Sequence, residues 1–246
     1  MQQIRYLGTS CFEMVGASGA RLIVDPYLDG NRYAAIAADD VDQLDLILVT
    51  HGGFDHLGDA FALARRTGAM LFASADVAIA AKIDGLPEEL VFPMVSGAHR
   101  EYAGFAVQAV EAHHVSITKL ADGFISGQPL SFIITDTGDA SAPVVYHSGD
   151  TSLFTDMKLI AELYAPTLGL IGVGGVPHLP HEMTPAEGAR AAEWLGVRHA
   201  VPMHLVPGGG DGEAFRDAVA ERTPNVKVDV LLPGESLPLQ QGAVAT

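Results

Sequence analysis

Leu46-Ile47-Leu48-Val49-Thr50-His51-Gly52-Gly53-Phe54-Asp55-His56-Leu57-Gly58-Asp59 begins as an apolar, β-favouring run after Asp45 and ends as a loop of glycines and metal-ligating side chains. The first half reads as a strand buried on both faces, the pattern of a parallel sheet. A buried strand that stops at His51, Asp55 and His56 sends imidazole and carboxylate groups off the rim of a sheet, where open α/β folds keep their ligand crevices. The same residue types also serve as turn residues and helix caps, and Asp59 reads as the N-cap of the helix that follows. The trio becomes a metal site if other strands deliver similar groups to the same rim.

Other strands do end in this way. The apolar run at 105–112 leads into His113-His114, the run at 144–146 into His147-Ser148-Gly149-Asp150-Thr151, and the run at 200–203 into His204. Asp150 falls between a strand end and a helix expected over 153–164, with Thr151 or Ser152 as its cap; such a carboxylate either caps the helix or points into the crevice. The buried run at 168–172 passes into Val173-Gly174-Gly175-Val176-Pro177-His178-Leu179-Pro180-His181-Glu182-Met183. Thr184-Pro185-Ala186-Glu187 then reads as a capping box with proline at the first helical position, opening a helix that Gly196 stops.

Further strands are expected at 4–7, 11–15, 21–25, 69–73, 90–92, 130–135 and 226–232, with helices over 60–66, 75–83 and 213–222. The first three strands read as an antiparallel meander closed by Asp25-Pro26, and residues 30–42 as a flap or substrate wall. Meander and β/α units recur, so the chain reads as an α/β protein of two similar halves, about 1–125 and 126–246, meeting near 122–129. No internal repeat is strong enough to separate them, and one domain over 1–246 is expected.

Composition narrows the function. Of 246 residues, 48% are hydrophobic and 18% charged, as in a globular protein. A net charge of −16 repels phosphate backbones and anionic membrane surfaces, which argues against nucleic-acid and membrane partners and for a small-molecule substrate. The single Cys11 excludes an internal disulfide and, with no cationic activator adjacent, reads as a core thiol. Neither a signal peptide nor a run of about 18 apolar residues is visible, so a cytoplasmic protein is expected. Monomer and homo-oligomer both remain open.

His51, Asp55, His56, His114, Asp150 and His204 together offer more nitrogen and oxygen ligands than one tetrahedral zinc requires and suit two divalent ions sharing a carboxylate. Without thiolate, the set fits Zn, Mn or Fe(II) alike.

The motifs His51…Asp55-His56, His114, Ser148-Gly149-Asp150-Thr151 and Pro202-Met203-His204 resemble, in order and spacing, those of the metallo-β-lactamase fold superfamily. Gly8-Thr9-Ser10, Val24-Asp25-Pro26, the run from Gly149 to Lys158 and Val201-Pro202-Met203-His204 look like the small bacterial metal-dependent hydrolases related to ascorbate-6-phosphate lactonase; the resemblance covers about 4–215. It implies a four-layer αββα sandwich with a dinuclear site at one edge of the paired sheets. Carried over by residue, His51 and His114 bind the first metal, Asp55, His56 and His204 the second, and Asp150 bridges. His114 matches the pattern rather than His113, which then faces the other side of its strand.

Two departures stand out. Gly53 occupies the place of a family histidine, which reduces the first set to His51, His114 and the shared Asp150, and Thr9 stands where relatives carry a histidine. Three outcomes are open: one tight and one weak metal, a refilled site using His181 or His178 as an extra ligand, or loss of hydrolysis. The leading expectation is a metal-dependent hydrolase of a small lactone, ester or cyclic amide, in which the metal lowers the pKa of a water towards about 7. Asp55 orients the nucleophile, and His181 or His178 protonates the leaving group. Lys119, Lys158 and Arg32 are the cations nearest the motifs in sequence, so no polyphosphate clamp is evident. The alternatives are a phosphodiesterase on the same fold and, because of Gly53, a non-catalytic metal-binding or ligand-sensing protein.

Overall fold

The computed structural model describes residues 1–174 and 182–239. The first sheet orders β1 (Gln3–Gly8), β2 (Cys11–Val15), β3 (Arg21–Val24), β4 (Leu46–Val49), β5 (Met70–Ser74) and β6 (Val91–Met94) side by side in chain order. Its first three strands are antiparallel and its last four run parallel. Helices α1 (Phe54–Leu57), α2 (Ala60–Thr67) and α3 (Ala75–Ile83) connect the parallel strands.

The chain changes sheets between Met94 and His99. The second sheet takes β7 (His99–Tyr102), β8 (Phe105–Glu111), β11 (Leu130–Asp136), β12 (Val145–His147), β13 (Leu168–Gly172), β14 (His199–Met203) and β15 (Lys227–Val228), in the spatial order β15-β14-β13-β12-β11-β8-β7. The strands β9 (Ser116–Leu120) and β10 (Gly123–Gly127) form a separate hairpin. Helices α4 (Met157–Tyr164), α5 (Pro185–Leu195) and α6 (Asp211–Arg222) belong to the second half of the chain. No helix among the described residues is long and apolar enough to cross a membrane.

The uninterrupted apolar run of β4 has its explanation in the layers. Leu46 and Leu48 face inward with Phe12, Val24, Phe132 and Leu170, in the core between the two sheets. Ile47 and Val49 point the other way, against Leu63 and Ala64 of α2 and Val77 and Ala78 of α3. Ile133, Tyr146 and Ile171 likewise leave the second sheet outward to meet Met157, Ala189, Ala192 and Phe215 of α4, α5 and α6. Three apolar layers between four structural ones make the αββα sandwich. All four side chains of β4 are fully buried, so truncating one to alanine is expected to cost about 2–5 kcal/mol.

Local expectations hold at the strong signals and fail at weaker ones. Thr184 and Glu187 form the capping box, with Pro185 opening α5 and Gly196 ending it at φ +66. Asp59 stands at the N-cap position of α2, as expected, but its side chain makes no capping bond. Its Oδ2 instead accepts the backbone N–H groups of Leu28 and Asp29, each at 2.9 Å, which fixes the turn after β3 beside the β4 loop. Neither Thr151 nor Ser152 caps a helix at 153: the Thr151 hydroxyl accepts from the backbone of His113 at 2.9 Å, and α4 starts at Met157. The expected strand at 226–232 shortens to β15, while β7, β9 and β10 carried no apolar signal. Within residues 30–42, Ala38 and Val41 are buried against the first sheet's outer layer, while Arg32, Ala35, Ala37, Asp39 and Asp40 are exposed.

Candidate metal centre

The ends of β3 and β4 lie side by side because the strands are parallel and adjacent. That register sets Asp25, one residue past β3 in the left-handed region at φ +47, against Thr50, one residue past β4. The fully buried Asp25 carboxylate accepts the Thr50 backbone N–H and hydroxyl, both at 2.8 Å, and contacts Nδ1 of His56 at 2.8 Å. The other nitrogen of His56, Nε2, is 3.1 Å from Oδ1 of Asp150. His56 is therefore held between two buried carboxylates. Burial alone would lower its pKa, but the charges of Asp150 and Asp25 push it well above the usual imidazole range.

Asp150 reaches the site through a left-handed turn with no room for a Cβ. Gly149 adopts φ +55, and a Cβ there would meet Thr50 Cβ at 2.9 Å. Burial would raise the Asp150 pKa, yet the neighbouring His204 and His56 hold it well below the carboxylate range. His114 Nε2 lies 3.9 Å from Asp150 Oδ2, and its ring is edge-on to His51 with centroids 5.1 Å apart. His51 has its Nδ1 3.0 Å from the Thr50 hydroxyl; burial, reinforced by the charge of His56, lowers its pKa to about 4.

His204 follows β14 at φ +63, with its backbone N–H donated to the Thr9 carbonyl at 2.7 Å. Thr9, the departure noted in the sequence, thus supports the His204 main chain. His204 Nε2 lies 3.3 Å from Asp55 Oδ2 and 3.7 Å from Asp150 Oδ2, while Nδ1 lies 3.4 Å from Glu182 Oε2. Against the effect of burial, the carboxylates of Asp150, Asp55 and Glu182 raise its pKa to about 9. Glu182, by burial first and then by the charge of Asp150, is raised to about 7.

All six side chains singled out in the sequence therefore meet. Donor atoms of His51, His114 and Asp150 lie within 4.8 Å of one another, as do those of Asp55, His56 and His204, and those of Asp150, Glu182 and His204. The two remaining histidines of the motifs stay out. His113 stacks on Phe154 with centroids 4.2 Å apart, facing away as the strand alternation implied. His147 lies buried, contacting the Ser10 carbonyl through Nε2 at 2.9 Å and accepting the Gly149 N–H on Nδ1, so it ties the Asp150 turn to the β1–β2 turn. His178 and His181 lie outside the described residues.

Two residues of the cluster escaped the sequence reading. Asp25 looked like the turn that closes a meander, although a carboxylate one step past a parallel strand was a usable signal. Glu182 stood beside a capping box with nothing to mark it.

The donors suit a divalent cation. His56 Nε2, Asp150 Oδ1 and Glu182 Oε2 are buried without a hydrogen-bond partner, and buried polar atoms are costly when left so. A hard or borderline cation among imidazoles and carboxylates satisfies them, and the absence of thiolate from the set agrees with Zn, Mn or Fe(II) chemistry.

Four layers with His and Asp side chains gathered at one rim define the metallo-β-lactamase fold. The family model of the beta-lactamase superfamily domain matches residues 20–205. A UPF0173 metal-dependent hydrolase of Rubrobacter xylanophilus is 36% identical over 242 residues, covering 96% of each chain. Its counterpart in Methanopyrus kandleri is 39% identical over 238 residues, covering 95% of this chain and 98% of its own. Igni18, described as a novel metallo hydrolase from Ignicoccus hospitalis, matches in structure with a TM-score of 0.79 at 30% identity, covering 96% of this chain and 97% of that one. The chain belongs to the metallo-β-lactamase superfamily and, within it, to the UPF0173 metal-dependent hydrolases.

Proposed function

We propose that this protein is a metal-dependent hydrolase of a small carbonyl substrate, a lactone, ester or cyclic amide. His51 and His114 would hold one cation, Asp55, His56 and His204 another, with Asp150 shared. The observation that carries this reading is that the buried atoms His56 Nε2 and Asp150 Oδ1, 3.1 Å apart as an ion pair inside the six-residue cluster, make no hydrogen bond.

When bound, a divalent cation supplies a water of lowered pKa and polarises the carbonyl. The rest falls to the chain. Burial would raise the Asp55 pKa, but the hydrogen bond to His204 and the charge of His56 hold it below the usual range, so it stays a carboxylate. Its side chain is 26% exposed, enough for it to accept the hydrogen bond of the attacking water and orient it. Asp25 keeps His56, and through it the rim, in one orientation. The proton for the leaving group is assigned to His181, or to His178, on their place in the sequence.

Two features favour a carbonyl over a phosphate. Lys158 sits over the Trp194 ring and Arg32 over the Tyr33 ring, each 4.6 Å and 4.5 Å from the centroid respectively, rather than serving as an anion clamp. Phe54, next to Asp55, is 76% exposed and edge-on to Tyr27, an apolar wall for an organic substrate.

The test is turnover by chelator-stripped protein given Mn2+ or Zn2+, on a panel of lactones, esters, cyclic amides and a chromogenic phosphodiester. Metal-dependent hydrolysis within the carbonyl classes, abolished by Asp150→Asn, is the expected result. Turnover of the phosphodiester alone would transfer the protein to that chemistry. Metal uptake with no turnover would favour the non-catalytic reading that Gly53 raises.

A further inference from the structure

We infer that Glu182 is a positioning residue for His204: its buried carboxylate holds Nδ1 of the imidazole so that Nε2 faces the cation position shared with Asp55, His56 and Asp150. The inference rests on the metal reading of this site and adds to it a residue that the ligand set does not contain.

The geometry repeats a relationship already present at the rim. His56 and His204 lie nearly parallel, with ring centroids 5.5 Å apart and planes 14° apart. His56 presents Nδ1 to Asp25 at 2.8 Å and Nε2 to Asp150 at 3.1 Å. His204 presents Nδ1 to Glu182 at 3.4 Å and Nε2 to Asp55 and Asp150 at 3.3 and 3.7 Å. Each ring of the pair thus has one carboxylate behind it and site carboxylates in front. A metal-binding imidazole is commonly held this way, because the outer acceptor selects the tautomer and fixes the ring. His51 differs, with the neutral Thr50 hydroxyl at its Nδ1.

His204 needs such a hold more than His56 does. It sits beyond the end of β14 rather than within a helix, and the second torsion of a histidine side chain is broad. Glu182 is well placed to supply it. The next residue, Met183, is 1% exposed and bridges to Val173, and Thr184 caps α5, so the main chain carrying Glu182 is anchored immediately after it. Its side chain is 5% exposed, and Oε2 has no hydrogen-bond partner. A carboxylate buried beside Asp150 is unfavourable unless it faces an opposite charge, and the His204 imidazole, with Nδ1 3.4 Å from Oε2, is the charge at hand.

The experiment compares Mn2+ affinity, by calorimetry on the chelator-stripped full chain, for wild type, Glu182→Ala and Glu182→Gln, together with the melting temperature of each metal-free protein. Glu182→Ala is expected to bind about 10–100-fold more weakly. Glu182→Gln, which keeps a polar oxygen beside Nδ1, recovers part of that loss. Metal-free melting is expected to change little, because removing the repulsion from Asp150 offsets the lost attraction to His204. Unchanged affinity in both variants overturns the assignment, as does a lower metal-free melting temperature with unchanged affinity, the mark of a packing role. Loss of a whole metal equivalent would also overturn it, in favour of direct ligation. If wild type takes up no divalent cation, the metal reading itself falls and takes this inference with it, an outcome recognisable before any substitution is made.

Discussion

Asp25 and His56 stand 31 positions apart in the chain, yet the carboxylate of one meets Nδ1 of the other at 2.8 Å, with both side chains fully buried. The contact exists because Asp25 follows β3, whose last residue Val24 pairs with Leu48 of the parallel neighbour β4, and the loop after β4 turns into α1, which carries His56 back over it. It fixes which face of the His56 ring is free to work.

Asp25→Asn tests that contact. The amide tolerates the left-handed backbone at φ +47 but cannot balance a charged imidazole. Removing one partner of a buried pair is expected to cost about 3 kcal/mol or more. Metal affinity is expected to fall about 10–100-fold. Denaturant unfolding and metal titration check the two numbers separately; unchanged affinity would mean that His56 is oriented by Asp150 alone.

The constraint at Gly53 is space rather than backbone freedom, because its φ of −57 suits any residue. A Cβ there would meet Nε2 of His51 at 2.7 Å and Oδ1 of Asp55 at 3.1 Å. Restoring a family-like ligand with Gly53→His is therefore expected to displace His51 rather than add to it, leaving bound metal equal to or below wild type by elemental analysis. A rise by a full equivalent would refute this. In wild type, the set left with His51, His114 and Asp150 is expected to lose its ion first on dialysis, so that His114→Ala retains one tight equivalent and His56→Ala does not.

Metal uptake should release protons. In the metal-free protein the neighbouring carboxylates raise His204 to about 9 and His56 well above the imidazole range, and both must be neutral to coordinate. Titrations at pH 7 in buffers of differing ionisation enthalpy are expected to show net release, with affinity increasing as pH rises towards about 9. Proton uptake on binding would contradict the raised values.

The same shift governs stability on the alkaline side. His204 folds with its pKa raised from 6.5 to about 9, so its contribution is full below 6.5 and is lost as pH rises through about 9. Glu182 acts in the same direction, but its window, from 4.5 to about 7, is complete before the upper part of that range. Chemical denaturation of metal-free protein between pH 7 and about 9 is expected to show stability falling by up to about 1.4 kcal/mol per pH unit for each proton lost. The slope should be shallower in His204→Gln, and an equal slope in both would remove His204 as its cause.

What the sequence determined by itself was the part written in short range. Apolar runs at period two, or without a period where both faces are covered, marked β4, β8, β11, β12, β13 and β14, and the residues that follow β4, β8, β12 and β14 named the six members of the rim. Capping chemistry marked α5 from Thr184 to Gly196. Local patterning could not mark β7, whose residues His99, Arg100 and Glu101 are exposed, or the hairpin of β9 and β10, in which every second residue faces solvent. Nor could it distinguish Asp59 and Thr151 as helix caps from acceptors for distant backbone, since the competing donors, Leu28, Asp29 and His113, are neighbours only after folding. The tertiary structure alone decided which carboxylate backs which histidine. Asp25 and Glu182 come from opposite halves of the chain, and only the packing of two sheets face to face brings a negative charge behind each of two parallel rings.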